Sequence, residues 1–197
     1  MVFDPDPTAI FDRMKTLCVA AGVVGVAPLD NQVGLEGIAP GKGLLEQIVR
    51  ADIGLMDQLE AAVFCLDGFR RGPEMDAGTA FEIGYMRALG KPIAGWTRDT
   101  RPYPQRVADF FRGTFGEELM PAAAGPVGGM SGGFRDPDGV LVHSEGCVQN
   151  AMVHVGIELA GGVIAADADW ERAFGLAVAS VVAQLRARPV KAPGSPP

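Results

Sequence analysis

The chain has 197 residues, of which 48% are hydrophobic, and its formal net charge is −7. This length and composition suit one globular domain with a sizeable core, and they exclude disorder for most of the chain. The negative charge, without a basic cluster, argues against a nucleic acid partner. No run approaches the ~18 apolar residues of a membrane span, and the start MVFDPDP lacks the features of a signal peptide. We therefore expect a cytoplasmic protein with no membrane partner.

Cysteine and histidine are few and scattered along the chain. The three cysteines are Cys18, Cys65 and Cys147, and the two histidines are His143 and His154. None of these residues has the spacing of a zinc site, and an odd number of separated cysteines does not suggest a disulfide framework. The sequence therefore predicts reduced thiols and no metal site.

The hydrophobic pattern alternates between helices and strands. Helices are predicted over residues 7–21, 42–60, 79–89, 103–112, 145–160 and 168–187, and strands over 23–30, 61–67 and 92–96. Strand–helix alternation of this kind indicates a doubly wound α/β sheet, flavodoxin-like with three layers. Residues 121–139 are rich in glycine and predict a surface loop, in which DPDG is a turn. We expect one domain over 1–188 and a disordered tail over 189–197.

Glu82 is a carboxylate in a stretch that is otherwise small or apolar, PEMDAGTAFEIGY (73–85). One interpretation is structural: Thr79-Ala-Phe-Glu82 fits a capping box, in which the glutamate bonds back to the first amides of the helix. The other interpretation is functional. The helix follows a buried strand, so its start lies at the carboxyl end of the sheet, where open α/β folds bind ligands. Such a carboxylate would be ionised, poorly hydrated and nucleophilic, with Asp76 close by.

A long motif in this region resembles the nucleoside 2-deoxyribosyltransferase family. The stretch from Phe69 to Pro92 reads F-R-x-G-P-E-x-D-x-G-T-A-F-E-x-G-Y-x-x-A-L-G-K-P. Residues 28–32 (PLDNQ) are similar to a second motif of the family, and Asn150-Ala-Met152 is similar to its N-L-M motif. The first motif is specific, whereas the other two are short and add weight through their order and spacing.

The resemblance implies a role for each matching residue at the reacting sugar and base. Glu82 matches the nucleophile that attacks C1′ of the deoxyribose and forms a covalent glycosyl-enzyme. Asp76 matches the acid that holds a sugar hydroxyl, and Asp52 matches the acid that assists departure of the base. Gln32 is similar to a base-contacting glutamine, and Gly78 belongs to the same motif and is assigned to substrate binding.

The resemblance also implies that active sites are shared between subunits. Asn150 and Met152 match residues that reach a neighbouring subunit's site, so we expect a homo-oligomer acting on nucleosides and free nucleobases. Family members open with a strand and an AGP-like turn, whereas this chain begins near the segment after that turn. The expected first strand is therefore missing or truncated, although Phe3 is placed to line the site.

The implied chemistry needs no metal or organic cofactor. Breaking an N-glycosidic bond passes through an oxocarbenium-like state, which an anion beneath C1′ stabilises and then traps. A proton delivered to the base improves the leaving group. Two alternatives stay open: a hydrolase acting on nucleosides or their 5′-monophosphates, and a non-catalytic nucleoside-binding module.

Overall fold

The computed structural model describes residues 5–31, 37–122, 133–142 and 146–188. The helices within them are α1 (Pro7–Ala20), α2 (Lys42–Gln58), α3 (Ala77–Ala88), α4 (Tyr103–Phe115), α5 (Ala151–Leu159) and α6 (Trp170–Ala187). The strands are β1 (Ala62–Cys65), β2 (Ile93–Thr97), β3 (Met120–Pro121), β4 (Phe134–Arg135), β5 (Leu141–Val142) and β6 (Ile164–Ala166). The tail expected to be disordered, 189–197, lies outside the described residues.

A parallel sheet of β1, β2 and β6 forms the middle layer, with β2 in the centre. Ala62 pairs with Ile93 across β1 and β2, and Trp96 pairs with Ala165 across β2 and β6. Every residue of β2 is buried, as expected for a strand covered on both faces. The predicted α/β class with a parallel sheet is therefore confirmed, although β6 was not predicted because it is only three residues long.

Two apolar clusters hold helices against opposite faces of the sheet. One joins α1 and α6 to the sheet through residues such as Phe11, Met14, Trp96, Phe174 and Val178. The other joins α2, α3 and α5 to the opposite face through residues such as Met56, Phe64, Ile83, Met86 and Ile157. The result is a three-layer arrangement. Within the described residues, no helix is both long and apolar enough to cross a lipid bilayer.

The strand predicted over 23–30 is not formed. Residues 24–27 have no regular structure, and a 3₁₀ turn covers Pro28–Asn31. Val24 is 87% exposed, so the apolar run that suggested a buried strand is not buried here. The physical reason is the lack of a pairing partner, because an apolar cavity separates this segment from the free edge of β1. Among the described residues, no strand pairs with that edge of β1.

The described part of the predicted glycine-rich loop contains short strands. β3, β4 and β5 form a small antiparallel sheet. The predicted DPDG turn is confirmed, because Gly139 adopts a φ of 84° and its N–H donates to the carbonyl of Asp136 at 2.9 Å. Residues 123–132 lie outside the described part of the chain.

Candidate active site

Asp76 is the N-cap of α3, at the end of the loop that follows β1. Its Oδ2 accepts a hydrogen bond from the N–H of Thr79 at 2.9 Å and lies 3.4 Å from the Thr79 hydroxyl. The capping box considered for Thr79 and Glu82 is therefore wrong, because Asp76 already occupies the N-cap position. A carboxylate at this position is also favoured by the partial positive charge of the helix start.

Gly78 leaves room for the capping carboxylate. A Cβ atom built on Gly78 would lie 2.8 Å from Oδ2 of Asp76, which is closer than real Cβ contacts. The structure thus gives a steric reason for glycine at this position of the motif. It allows Asp76 to fold over the first turn of α3.

Glu82 lies in the second turn of α3, not in the first turn as predicted, because the helix begins at Ala77. The favourable effect of the helix start on a carboxylate falls off within the first turn, so it reaches Glu82 only weakly. Burial raises the pKa of Glu82 to about 7, and the negative charges of Asp52 and Asp76 act in the same direction. The ionised state expected for Glu82 stays a prediction, and the raised pKa works against ionisation near neutral pH.

Asp52, on α2, lies near enough to Glu82 for its charge to act on that residue. Burial raises the pKa of Asp52 as well. The position of α2 is fixed by Met56, which packs in the same cluster as Ile83 and Met86 of α3. The side-chain amide of Asn31 also donates to the carbonyl of Ala51 at 2.6 Å. The structure thus brings Asp52 and Asp76 close enough to Glu82 for their charges to act on it.

A cavity of about 820 Å³ opens beside these carboxylates, between residues 22–28 and the free edge of β1. Asp52 and Glu82 line it, and most of the remaining wall is apolar. Its apolar lining includes Phe11, Met14, Val23, Leu55, Phe64, Phe174 and Val178. A cavity of this size with a few polar groups is typical of a small-molecule site.

The pKa values of Asp52 and Glu82 are both raised, and the negative charges of Asp52 and Asp76 oppose the ionisation of Glu82. A state in which one of Asp52 and Glu82 is protonated while the other is an anion would place an acid beside an anion. Among the described residues, no cluster of His, Cys, Asp or Glu has an arrangement that would hold a metal ion. The structure thus places the carboxyls of Asp52 and Glu82 in the lining of one cavity.

Asn150 and Met152 lie at the start of α5. Asn150 is its N-cap, and the side-chain oxygen accepts from the N–H of Met152 at 2.9 Å. Met152 is 85% exposed, so this side chain is available to another molecule and is not part of the core. Phe3 and Gln32 lie outside the described residues, so their predicted contacts with substrate stay predictions.

Sequence reasoning missed the contacts that hold α2 against α3. The Lys91 ammonium donates to the carbonyls of Met56 and Asp57 at 2.7 and 2.8 Å. The hydroxyl of Tyr85 donates to the Asp57 carboxylate at 2.7 Å. Tyr85 and Lys91 both fall in the long motif, but nothing in a single sequence indicates that they meet the end of another helix. These contacts fix the distance between the helices that carry Asp52 and Glu82.

Comparisons with known proteins show the family of this chain. Residues 1–152 match the family model described as Nucleoside 2-deoxyribosyltransferase. An uncharacterised protein of Schizosaccharomyces pombe is 44% identical over 188 residues, covering 95% of this chain and 88% of that protein. The solved structure of a 2-desoxiribosyltransferase from Leishmania mexicana is similar with a TM-score of 0.56 and 28% identity, over 90% of this chain and 91% of that one. The chain therefore belongs to the nucleoside 2-deoxyribosyltransferase family.

Proposed function

We propose that this protein transfers 2-deoxyribose between nucleobases through a covalent glycosyl ester on Glu82. The observation that supports this most directly is the state of Glu82 in the cavity. It is a partly buried carboxylate that forms no ion pair within the described residues, and it faces the charges of two further acids. An anion with little hydration and no counter-ion is a competent nucleophile.

The proposed reaction has two steps, formation of the glycosyl ester and transfer of the sugar to a second base. In the first, the C1′–N bond breaks, its electron pair leaves with the base, and Asp52 gives the base a proton. An oxygen of Glu82 bonds to C1′ and closes the glycosyl ester. In the second step, a nitrogen of the incoming base attacks C1′, the ester bond breaks, and Asp52 takes a proton back from the incoming base.

The raised pKa of Asp52 fits its role as proton donor, whereas the raised pKa of Glu82 lowers the fraction that can attack as an anion. Burial of Asp52 favours its protonated form, which is the form that donates to the leaving base. Glu82 must be ionised to attack, and with a pKa of about 7 it is ionised in a large fraction of molecules at pH 7 to 8. The productive state carries a proton on Asp52, not on Glu82.

We propose that Asp76 holds a hydroxyl of the same sugar whose C1′ is attacked by Glu82. Its Oδ2 is engaged by Thr79, while Oδ1 accepts no hydrogen bond from the described residues. Gly78 would keep this carboxylate in place, and Phe3 and Gln32 would contact sugar and base.

We also propose that the active form is a homo-oligomer in which α5 meets a neighbouring copy. α3 and α5 pack together, and both expose apolar side chains: Phe81, Leu89, Met152, Val155 and Leu159. An exposed apolar surface on two adjacent helices favours association. Light scattering should give at least twice the chain mass of 20.6 kDa. An active protein that stays monomeric at micromolar concentration would refute this assembly.

The test of function is incubation with a 2′-deoxynucleoside, with and without a different free base, followed by chromatography. A transferase makes the new deoxynucleoside only when the second base is present. Release of free base and sugar at the same rate in both samples would show a hydrolase. No consumption of any common deoxynucleoside would show a binding module.

The covalent step has a separate test. A 2-fluoro-2-deoxynucleoside slows the breakdown of the glycosyl ester because the fluorine destabilises the positive charge at C1′. Mass spectrometry of digested protein should find the sugar on the peptide that contains Glu82. An adduct on any other residue would refute the assignment.

A further inference from the structure

A second cavity, of about 640 Å³, lies at the carboxyl ends of β1 and β2. It is lined by residues that follow β1, residues that follow β2, and the first half of α4, and it contains neither Glu82 nor Asp52. Four arginines line it: Arg71, Arg98, Arg101 and Arg106. This concentration of positive charge stands out in a chain whose formal net charge is −7.

Two of the four arginines are neutralised by aspartates of the same cavity. Arg98 forms an ion pair with Asp67. Arg101 pairs with Asp99 at 2.6 Å and with Asp109 at 2.6 Å. All three aspartates in the lining are therefore engaged. Arg71 and Arg106 form no ion pair with the described residues, although the charges of Asp99, Glu74 and Asp67 act on Arg106. With four arginines and three aspartates, the lining has a surplus of one positive charge.

Arg106 is the more informative of these two residues. It is only 4% exposed, and its Nε has no hydrogen-bond partner among the described residues. Its guanidinium donates to the carbonyl of Val148, which fixes the side chain at the cavity wall. A buried donor without a partner is costly and rare in native proteins. Arg106 therefore lines the cavity as a fixed positive charge rather than through its Nε, which is itself buried.

Arg71 reaches the cavity from the opposite side, on the loop between β1 and α3. This residue and Arg70 adopt left-handed backbone conformations, with φ of 66° and 49°. This backbone conformation is unfavourable for residues other than glycine. The turn is tight, since a Cβ on Gly68 would lie 2.0 Å from the carbonyl oxygen of Gly72. The chain thus adopts an unfavourable backbone conformation at the residue that lines the cavity, Arg71.

We propose that this cavity binds a phosphate group, held by Arg71 and Arg106. The lining has four arginines and three aspartates, and this surplus of positive charge favours an anion. The planar guanidinium fork matches phosphate oxygens, and a partly buried setting strengthens such charge-assisted bonds. Because the site lies outside the carboxylate cavity and the proposed reaction involves no phosphate, this ligand is additional to the proposed function.

The test is titration calorimetry at pH 8, where phosphate is a dianion, with sodium chloride matched to equal ionic strength. The titrants are inorganic phosphate and a 2′-deoxynucleoside 5′-monophosphate, the latter with Glu82→Gln protein so that no turnover intervenes. Saturable binding of inorganic phosphate is expected. Equal affinity for both titrants would identify free phosphate as the ligand. A nucleotide that binds at least tenfold more tightly would show that the phosphate arrives on a nucleotide.

Variants separate the site from a general ionic effect. Arg71→Gln, an exposed position that should not disturb folding, is expected to weaken phosphate binding at least tenfold. Arg106→Lys keeps the charge but loses the fork and should weaken it as well. Arg186→Gln, at a position near the end of α6 and away from the cavity lining, is the matched control and should bind as the wild type does.

Three outcomes would overturn the proposal. They are the absence of saturable phosphate binding, equal binding by Arg71→Gln and Arg186→Gln proteins, and binding of the nucleotide without any binding of inorganic phosphate. Because these measurements need no catalysis, they hold whether or not deoxyribosyl transfer is found.

Discussion

Two groups of acids lie in the loops and helices beside the carboxyl end of β1, and their surroundings differ in kind. Asp52, Asp76 and Glu82 have one another as neighbours, and burial raises the pKa of Glu82 to about 7. Asp67 and Asp99, around the arginine cavity, each have an arginine partner. A hydrogen bond from Arg101 lowers the pKa of Asp99. The surroundings thus raise the pKa of Asp52 and Glu82 and lower the pKa of Asp99.

This difference separates a reactive site from a binding site. In the proposed reaction, bonding of Glu82 to C1′ would remove its negative charge and so relieve its repulsion with the neighbouring acids. Carboxylates paired with arginine are stable as they are, and they leave only the surplus positive charge available to a ligand. The following predictions test this contrast from its largest consequence to its smallest.

Glu82→Gln should abolish most of the turnover. The amide has the same size, but it cannot form a stable glycosyl ester, so the rate of transfer should fall by a factor on the order of 10³ or more, equal to about 4 kcal/mol of barrier. Initial rates measured by chromatography check this. Glu117→Gln, an exposed glutamate after α4, is the matched control and should keep full activity. A Glu82→Gln protein of normal activity would end the assignment of the nucleophile.

Asp52→Asn should reduce turnover by a factor on the order of 10², a typical contribution of a general acid. It should also shift the acid limb of the kcat/KM profile to lower pH. The negative charge of Asp52 helps to raise the pKa of Glu82, so its removal lets Glu82 ionise at a lower pH. Asp138→Asn, in the exposed turn before β5, should leave both rate and profile unchanged. An unmoved acid limb would show that the two carboxyls do not interact.

Glu82→Gln should also make the protein more stable above pH 7. The folded pKa of about 7 lies above the ordinary value of 4.5, so the folded state binds more protons between these values. The contribution of Glu82 to stability is therefore lost as pH rises through 7, and the variant escapes this loss. The gain at pH 8 should be roughly 1–2 kcal/mol, after allowance for partial exposure, and should vanish near pH 4. Urea unfolding at both pH values measures it.

Asp99→Asn should act in the opposite direction. The folded pKa of Asp99 is lowered, so its contribution is present above the unfolded value and is lost as pH falls through the folded one. We expect a loss of about 0.5–1 kcal/mol at pH 7 that shrinks toward pH 3, because the pair with Arg101 is partly exposed. Urea unfolding beside Asp138→Asn checks it. A gain of stability in this variant would remove the contrast between the two groups of acids.

Much of the fold follows from local patterns. The helices α1, α2 and α4 and the strands β1 and β2 could be predicted because each carries a clear apolar period and is bounded by glycine, proline or charged residues. The 23–30 segment could not be predicted correctly, because an apolar run becomes a strand only when another strand pairs with it. β6 is too short to show a period, so only its pairing with β2 defines it.

The sequence predicts which acids matter but not their electrostatic state. Proximity of Asp76 and Glu82 follows from their spacing on one helix start, whereas the charge of Asp52 reaches Glu82 only through the packing of α2 on α3. The capping-box pattern assigns the N-cap to Thr79, yet Asp76 occupies that position and accepts from the Thr79 amide. The arginine cavity could not be predicted, because its residues come from three segments with no shared pattern.

The close contact at Gly78 has a consequence for how the site meets its ligand. Because Thr79 holds one oxygen of Asp76, the carboxylate is already immobile, and a hydroxyl that bonds the other oxygen does not need to freeze a free rotor. Ordering a flexible side chain on binding costs about 0.5–1.5 kcal/mol of conformational entropy. A methyl group on residue 78 would push the carboxylate out of this orientation. The absence of a side chain at residue 78 therefore sets the orientation in which Asp76 would accept a hydrogen bond from the proposed sugar substrate.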